Sequence, residues 1–94
     1  MDTVTADPYG LIRTERARQE RLYESGVLPM IASRPECPNE LRLAALVEEV
    51  GEVGTALLGQ GLADTERDEL VSEALREELV QVAAVCVAWL EATA

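Results

Sequence analysis

The chain predicts an all-α domain, and three observations carry that reading. No stretch alternates polar and apolar residues with period two, so no strand is expected. Apolar residues make up 48% of the chain but aromatics only 3%, and Phe is absent. The core material is therefore Ala, Leu and Val, which suits packed helices better than a sandwich or barrel. Three segments also carry helical apolar spacing with start and stop signals. At 94 residues there is room for one domain, residues 1–94, whose core would be marginal alone. A helical bundle completed by oligomerisation is the expected architecture.

Residues 1–7 read as a loose leader. Asp7-Pro8 can open the first helix, with Asp7 as cap and Pro8 in its first position. That helix runs to about Glu24 and stops at Ser25-Gly26, with Leu11, Ile12, Gln19, Leu22 and Tyr23 on one side. Residues 26–39 contain Pro29, Pro35 and Pro38 and read as an ordered loop over the bundle. Asn39 is a good cap for the second helix, Glu40 to about Leu58, and Gly59-Gln60-Gly61 supplies the stop. Asp64 or Thr65 caps the last element, which runs to about Ala92 and could begin as a separate short helix.

The formal net charge is −10, and every basic residue is Arg. This argues against a nucleic-acid backbone or an anionic membrane surface as partner, because both need a cationic footprint. Bare nucleotides are disfavoured equally unless a metal accompanies them. Cys37 and Cys86 have neither metal nor redox spacing. Cys86 reads as a small core residue and Cys37 as a free loop thiol. No signal peptide is visible, and the apolar run 79–90 is too short to span a bilayer, so a cytoplasmic protein is expected.

On a helical wheel of about 100° per residue, the second helix has a broad apolar stripe of Leu43, Leu46, Val47, Val50, Val53, Leu57 and Leu58. Glu48, Glu49 and Glu52 fall on the other side, with Leu41, Ala45 and Ala56. This helix is thus expected to be covered on both sides, its carboxylates facing something, although a solvated acidic face would have the same spacing. Glu49 and Glu52, three residues apart, can converge on one ion. Gly51 and Gly54 are costly mid-helix and imply a closely approaching helix or a ligand needing room. In the last helix, Val71, Ala74, Leu75, Val82, Val85, Cys86 and Trp89 define the apolar stripe. Glu78 lies near its middle and Gln81 at its edge, while Glu73, Glu77 and Glu91 point away. A Glu in a core stripe must be neutralised, paired or metal-bound. Pairing with Arg18 or Arg21 of the first helix is the plain alternative to a metal.

Two of these stretches together resemble the MazG-like family of all-α nucleoside triphosphate pyrophosphohydrolases. Glu48-Glu49-Val50-Gly51-Glu52 looks like that family's Glu-Glu-x-x-Glu motif, and Leu75 to Ala83, containing Glu78, looks like its Glu-x-x-Asp motif. The resemblance covers roughly residues 40–90, and Glu15 to Gln19 is weakly similar to phage-type members. It implies Mg²⁺ or Mn²⁺ held by Glu49, Glu52, Glu78 and Gln81. Glu48 would be a further ligand or would orient the attacking water, so Glu48 and Glu49 form the implied catalytic pair. Attack at the α-phosphorus would give nucleoside monophosphate and pyrophosphate. A hard divalent ion suits carboxylate oxygens and masks the repulsion between a triphosphate and this acidic chain. Arg18, Gln19, Arg34, Arg42 and Trp89 are the substrate-binding candidates, with Tyr23 a second stacking candidate. No residue pattern fixes the base, and a purine such as dGTP is a guess. A homodimer or homotetramer is expected. The departure from the motif is Gln81, where the family has Asp, which removes one negative charge. A non-catalytic nucleotide- or metal-binding homologue and a purely structural helical oligomer are the alternative readings.

Overall fold

The computed structural model describes the backbone of residues 7–58 and 64–94, and the side chains of 7–58 and 72–94. It is all-helical: α1 spans Pro8–Glu24, α2 Asn39–Leu58 and α3 Asp64–Ala92, and no strand occurs among the described residues. The leader of residues 1–6 and the Gly59-Gln60-Gly61 stop lie outside the described residues.

The start and stop chemistry of α1 acts as the sequence implies. The Asp7 carboxylate accepts from the Tyr9 amide at 3.1 Å, and Pro8 takes the first position, where its missing N–H costs nothing. At the far end Gly26 adopts φ +83°. The Val27 amide then donates to the Leu22 carbonyl at 2.9 Å and the Gly26 amide to Tyr23 at 3.0 Å, the paired bonds of a Schellman stop. α2 begins one residue earlier than expected. The Pro38 carbonyl accepts from both Leu41 and Arg42 amides at 3.1 Å, and the Asn39 side chain accepts from the Arg42 guanidinium instead of capping the backbone. α3 is one continuous helix of 29 residues.

α3 is the shared element. α1 packs on one side of it and α2 on another, while α1 and α2 make no direct packing contact among the described residues. This explains why α3 lacks a single core stripe. Its most buried residues are Ala84 and Ala88, with Val85 beside them, whereas Leu75, Val82, Cys86 and Trp89 are half-buried. Small side chains there let two helices approach one.

The proline-containing loop is ordered and contributes to the core, burying Ile31 and Cys37. Cys37 is thus the more buried thiol and Cys86 the less, the reverse of the sequence expectation; both are free. Arg42 ties the loop down. Its guanidinium, buried to 8% exposure, donates to the Ala32 carbonyl at 2.8 Å, the Arg34 carbonyl at 2.7 Å and Asn39 Oδ1 at 2.9 Å. Ser33 Oγ donates to Glu20 at 2.6 Å, and the Arg34 guanidinium lies 5.2 Å from the Tyr23 ring centre.

The apolar stripe of α2 is not buried in the subunit. Leu43, Val47, Val50, Leu57 and Leu58 each remain more than half exposed. The covered side of α2 lies at the edge of that stripe, carrying Leu46 and Val53 together with Ala45, Glu49 and Ala56. Full burial of a Leu or Val stabilises by about 1.5–3 kcal/mol, so this face withholds much of its contribution. No helix of the described residues is long and apolar enough to cross a membrane.

Arg42→Ala is expected to destabilise the domain by about 2–4 kcal/mol, because three hydrogen bonds from a buried charged group are lost. Urea unfolding followed by circular dichroism measures this. Retained wild-type stability would mean that the loop is held by Ile31 and Cys37 alone.

Candidate functional site

The α2–α3 interface brings together two of the sequence-predicted acids. Glu49 and Glu78 are both half-buried and come close enough across this interface to act on each other's charge. The Glu49 carboxyl is pushed above the usual carboxylate range. Burial is the largest cause, followed by the charges of Glu78, Glu48 and Glu52. Every one of these acts in the same direction. Glu48 and Glu52 themselves are exposed at the rim.

Glu78 therefore faces another acid and not an arginine. The alternative pairing with Arg18 is not formed, because Arg18 Nε and Nη2 donate at 2.8 Å to the two oxygens of Glu15. The donor set fits a hard divalent ion in kind, with carboxylate oxygens from two helices and two more acids at the rim. Among the described residues no group of three or more such side chains stands as a finished cage.

Gln81 is turned toward α1, where it lines a small cleft with Glu15 and helps to lower that carboxyl. Glu15 is 8% exposed, and it also accepts from Gln19 Nε2 at 3.2 Å. Burial alone would raise its carboxyl, but the Arg18 hydrogen bonds, the Gln81 side chain, the Arg18 charge and the Gln19 hydrogen bond more than offset that and hold it low. Glu15 was missed in the sequence, yet its signal was present. Leu11, Ile12, Gln19 and Leu22 flank it on the helical wheel, so it occupies the middle of α1's apolar stripe as Glu78 does in α3. Arg16, also buried, clamps α1 to α3 by donating to Glu91 at 2.6 Å, with Glu20 at 2.5 Å and Gln19 Oε1 at 2.7 Å on its other side.

Of the substrate-binding candidates, Arg42 is committed to the loop, as described, and Gln19 bridges Arg16 and Glu15. Arg18 serves Glu15 but leaves about half of its side chain exposed at 52%. Arg34 stacks on Tyr23 and lies 3.6 Å from Glu36. Trp89 is half-buried in α3. The sequence reading did not single out Arg76, which lines a cleft of about 660 Å³ between α1 and α3 with Leu11, Ile12, Leu75, Leu79 and Val80. A smaller cleft of about 320 Å³ beside it is lined by Arg76, Glu15 and Gln81.

No family model, curated protein or solved structure matches this chain.

Two outcomes follow from this geometry. Glu49→Gln removes a carboxylate that burial and the neighbouring acids oppose, so it is expected to raise the melting temperature at neutral pH in chelator. The sign follows from linkage: a raised carboxyl favours folding only while protonated, and that contribution is lost as pH rises through its folded value. Gln81→Asp sets a carboxylate against buried Glu15 and is expected to cost about 1–3 kcal/mol. The double variant Glu15→Gln with Gln81→Asp reverses donor and acceptor and should recover most of that loss. A thermal double-mutant cycle reads both, and additive single effects would mean that the two side chains are not coupled.

Proposed function

We propose that this protein is a metal-dependent hydrolase that converts (deoxy)nucleoside triphosphates to monophosphates and pyrophosphate, working as a homo-oligomer. The observation that carries the reading is the meeting of Glu49 and Glu78 across a helix interface, close enough that the charge of Glu78 helps to raise the Glu49 carboxyl. Like charges brought together in this way repel unless a cation or a proton comes between them. The resemblance of Glu48-Glu49-Val50-Gly51-Glu52 and of the Glu78 stretch to the MazG-like motifs supplies the chemistry, and the meeting of Glu49 with Glu78 is what that resemblance requires.

Mg²⁺ or Mn²⁺, when bound, would neutralise the acids and the triphosphate together and stabilise charge on the departing pyrophosphate. Glu49 and Glu78 would hold it from two helices, with Glu52 completing the set from the rim. Glu48, on the exposed side of α2, would orient a water and accept its proton as the water oxygen bonds to the α-phosphorus. The bond from that phosphorus to the bridging oxygen breaks, and its electrons leave with pyrophosphate. The exposed part of Arg18 is a candidate to meet outer phosphate oxygens, whereas Arg76 lies on the side of α3 away from Glu78. A purine substrate such as dGTP remains the working choice.

One observation favours a second reading, a nucleotide- or metal-binding homologue without turnover. Gln81 is neutral and already engaged by Glu15, so the second motif presents one acid and not two.

A panel of dNTPs with Mg²⁺ or Mn²⁺, assayed for pyrophosphate, separates the readings. Release is expected, falling by about 100-fold or more in Glu49→Gln and in Glu78→Gln. A metal-dependent rise in melting temperature without turnover selects the second reading. No response to metal or nucleotide would sink both.

A further inference from the structure

We propose that the exposed apolar stripe of α2 is a self-association surface, on which a second copy of this chain packs its own α2 antiparallel, with Val50 of each copy seated over Gly54 of the other. The inference gives a surface to the oligomer invoked above and is independent of the chemistry proposed there. Three observations carry it.

The stripe is large and, apart from the half-buried Leu46 and Val53, is uncovered by the described residues. Leu43, Val47, Val50, Leu57 and Leu58 are each more than half exposed, and α1 does not reach them. A helix of 20 residues is about 30 Å long. That is long enough to supply one side of an interface at the lower end of the stable range, about 600 Å² per partner.

The stripe is also the uncharged face of α2. Glu48, Glu49 and Glu52 all fall on the other side. For a chain of net charge −10, two copies can meet only where neither presents carboxylates. A cationic partner would find nothing on this face to bind.

Finally, the stripe is complementary to itself. Gly54 lies at its centre, and a Cβ built there meets nothing within 4 Å, as is true of Gly51 at its edge. A mid-helix glycine with open space over it weakens the helix without any packing return inside the subunit. In an antiparallel pair centred near position 52, Val50 faces Gly54, Val47 faces Leu57 and Leu46 faces Leu58. Each contact then occurs twice about a two-fold axis, as an isologous interface requires. The antiparallel sense also opposes the two helix dipoles favourably, which a parallel pair would not.

The test is equilibrium sedimentation of the full chain without nucleotide or metal, so its outcome does not depend on hydrolysis. Wild type is expected at twice its 10.2 kDa mass or an even multiple, with a melting temperature that rises with protein concentration. Val50→Asp should shift it to the chain mass. Gly54→Leu, whose side chain meets open space within the subunit, should weaken association by about tenfold or more. Gly54→Ala is the sign test: it strengthens an isolated helix but narrows the notch, so association weakens if the interface is real. A monomeric wild type with concentration-independent melting would overturn the proposal. So would an oligomer indifferent to Val50→Asp and Gly54→Leu, or a stripe that only an added, different protein can cover.

Discussion

The meeting of two acids, Glu49 and Glu78, is the constraint on which the rest of the molecule turns. They come together across the α2–α3 interface, where burial and the charges of Glu78, Glu48 and Glu52 raise the Glu49 carboxyl. Holding them there turns toward α3 the side of α2 that carries Ala45, Leu46, Val53 and Ala56. The remaining large apolar side chains, Leu43, Val47, Val50, Leu57 and Leu58, are then turned outward. The position of the acids and the exposure of the stripe are thus one decision seen from two directions.

α3 carries a second polar interface on its other side. Glu15 enters the middle of α1's apolar face and is kept ionised by Arg18, Gln81 and Gln19, the reverse of what happens at Glu49. The difference is the cation. Glu15 has a bidentate guanidinium, whereas the charges that act on Glu49 are those of other acids, so burial is outweighed at one and reinforced at the other. Gln81 belongs to this arrangement. An Asp there would stand against Glu15, whereas an amide can donate to it, so the departure from the motif has a reason inside the fold whatever the activity.

The buried apolar residues among those described are few, namely Ile31, Cys37, Ala84, Val85 and Ala88. A helix served by two neighbours that do not touch each other leaves its flanks open, and much polar machinery holds the elements in place. The Arg42 bonds to the loop and the Arg16 bond to Glu91 do work that a larger core would do with packing. Such a subunit gains more than most from a partner that covers its remaining apolar surface.

Most of the local structure was legible in the chain. Asp7-Pro8, Ser25-Gly26 and the loop prolines determine where α1 starts, where it stops and where no helix can run, because caps and φ restrictions act within a few residues. The spacing of Glu48, Glu49, Glu52 and Glu78 also set four acids apart, and Glu49 and Glu78 do meet. What the chain alone could not decide was which side of α2 would face α3. A helical wheel states that a helix has two faces but not which neighbour arrives at each, and here α3 covers Leu46 and Val53 at the edge of the apolar face and leaves the rest outside. It could not show that Arg42 would spend its guanidinium on the loop, since those carbonyls come within reach only after the chain turns back. Nor could it separate Glu15 from Glu78, two acids in apolar stripes, because what distinguishes them is whether a guanidinium or another carboxyl lies opposite, and tertiary packing alone sets that distance.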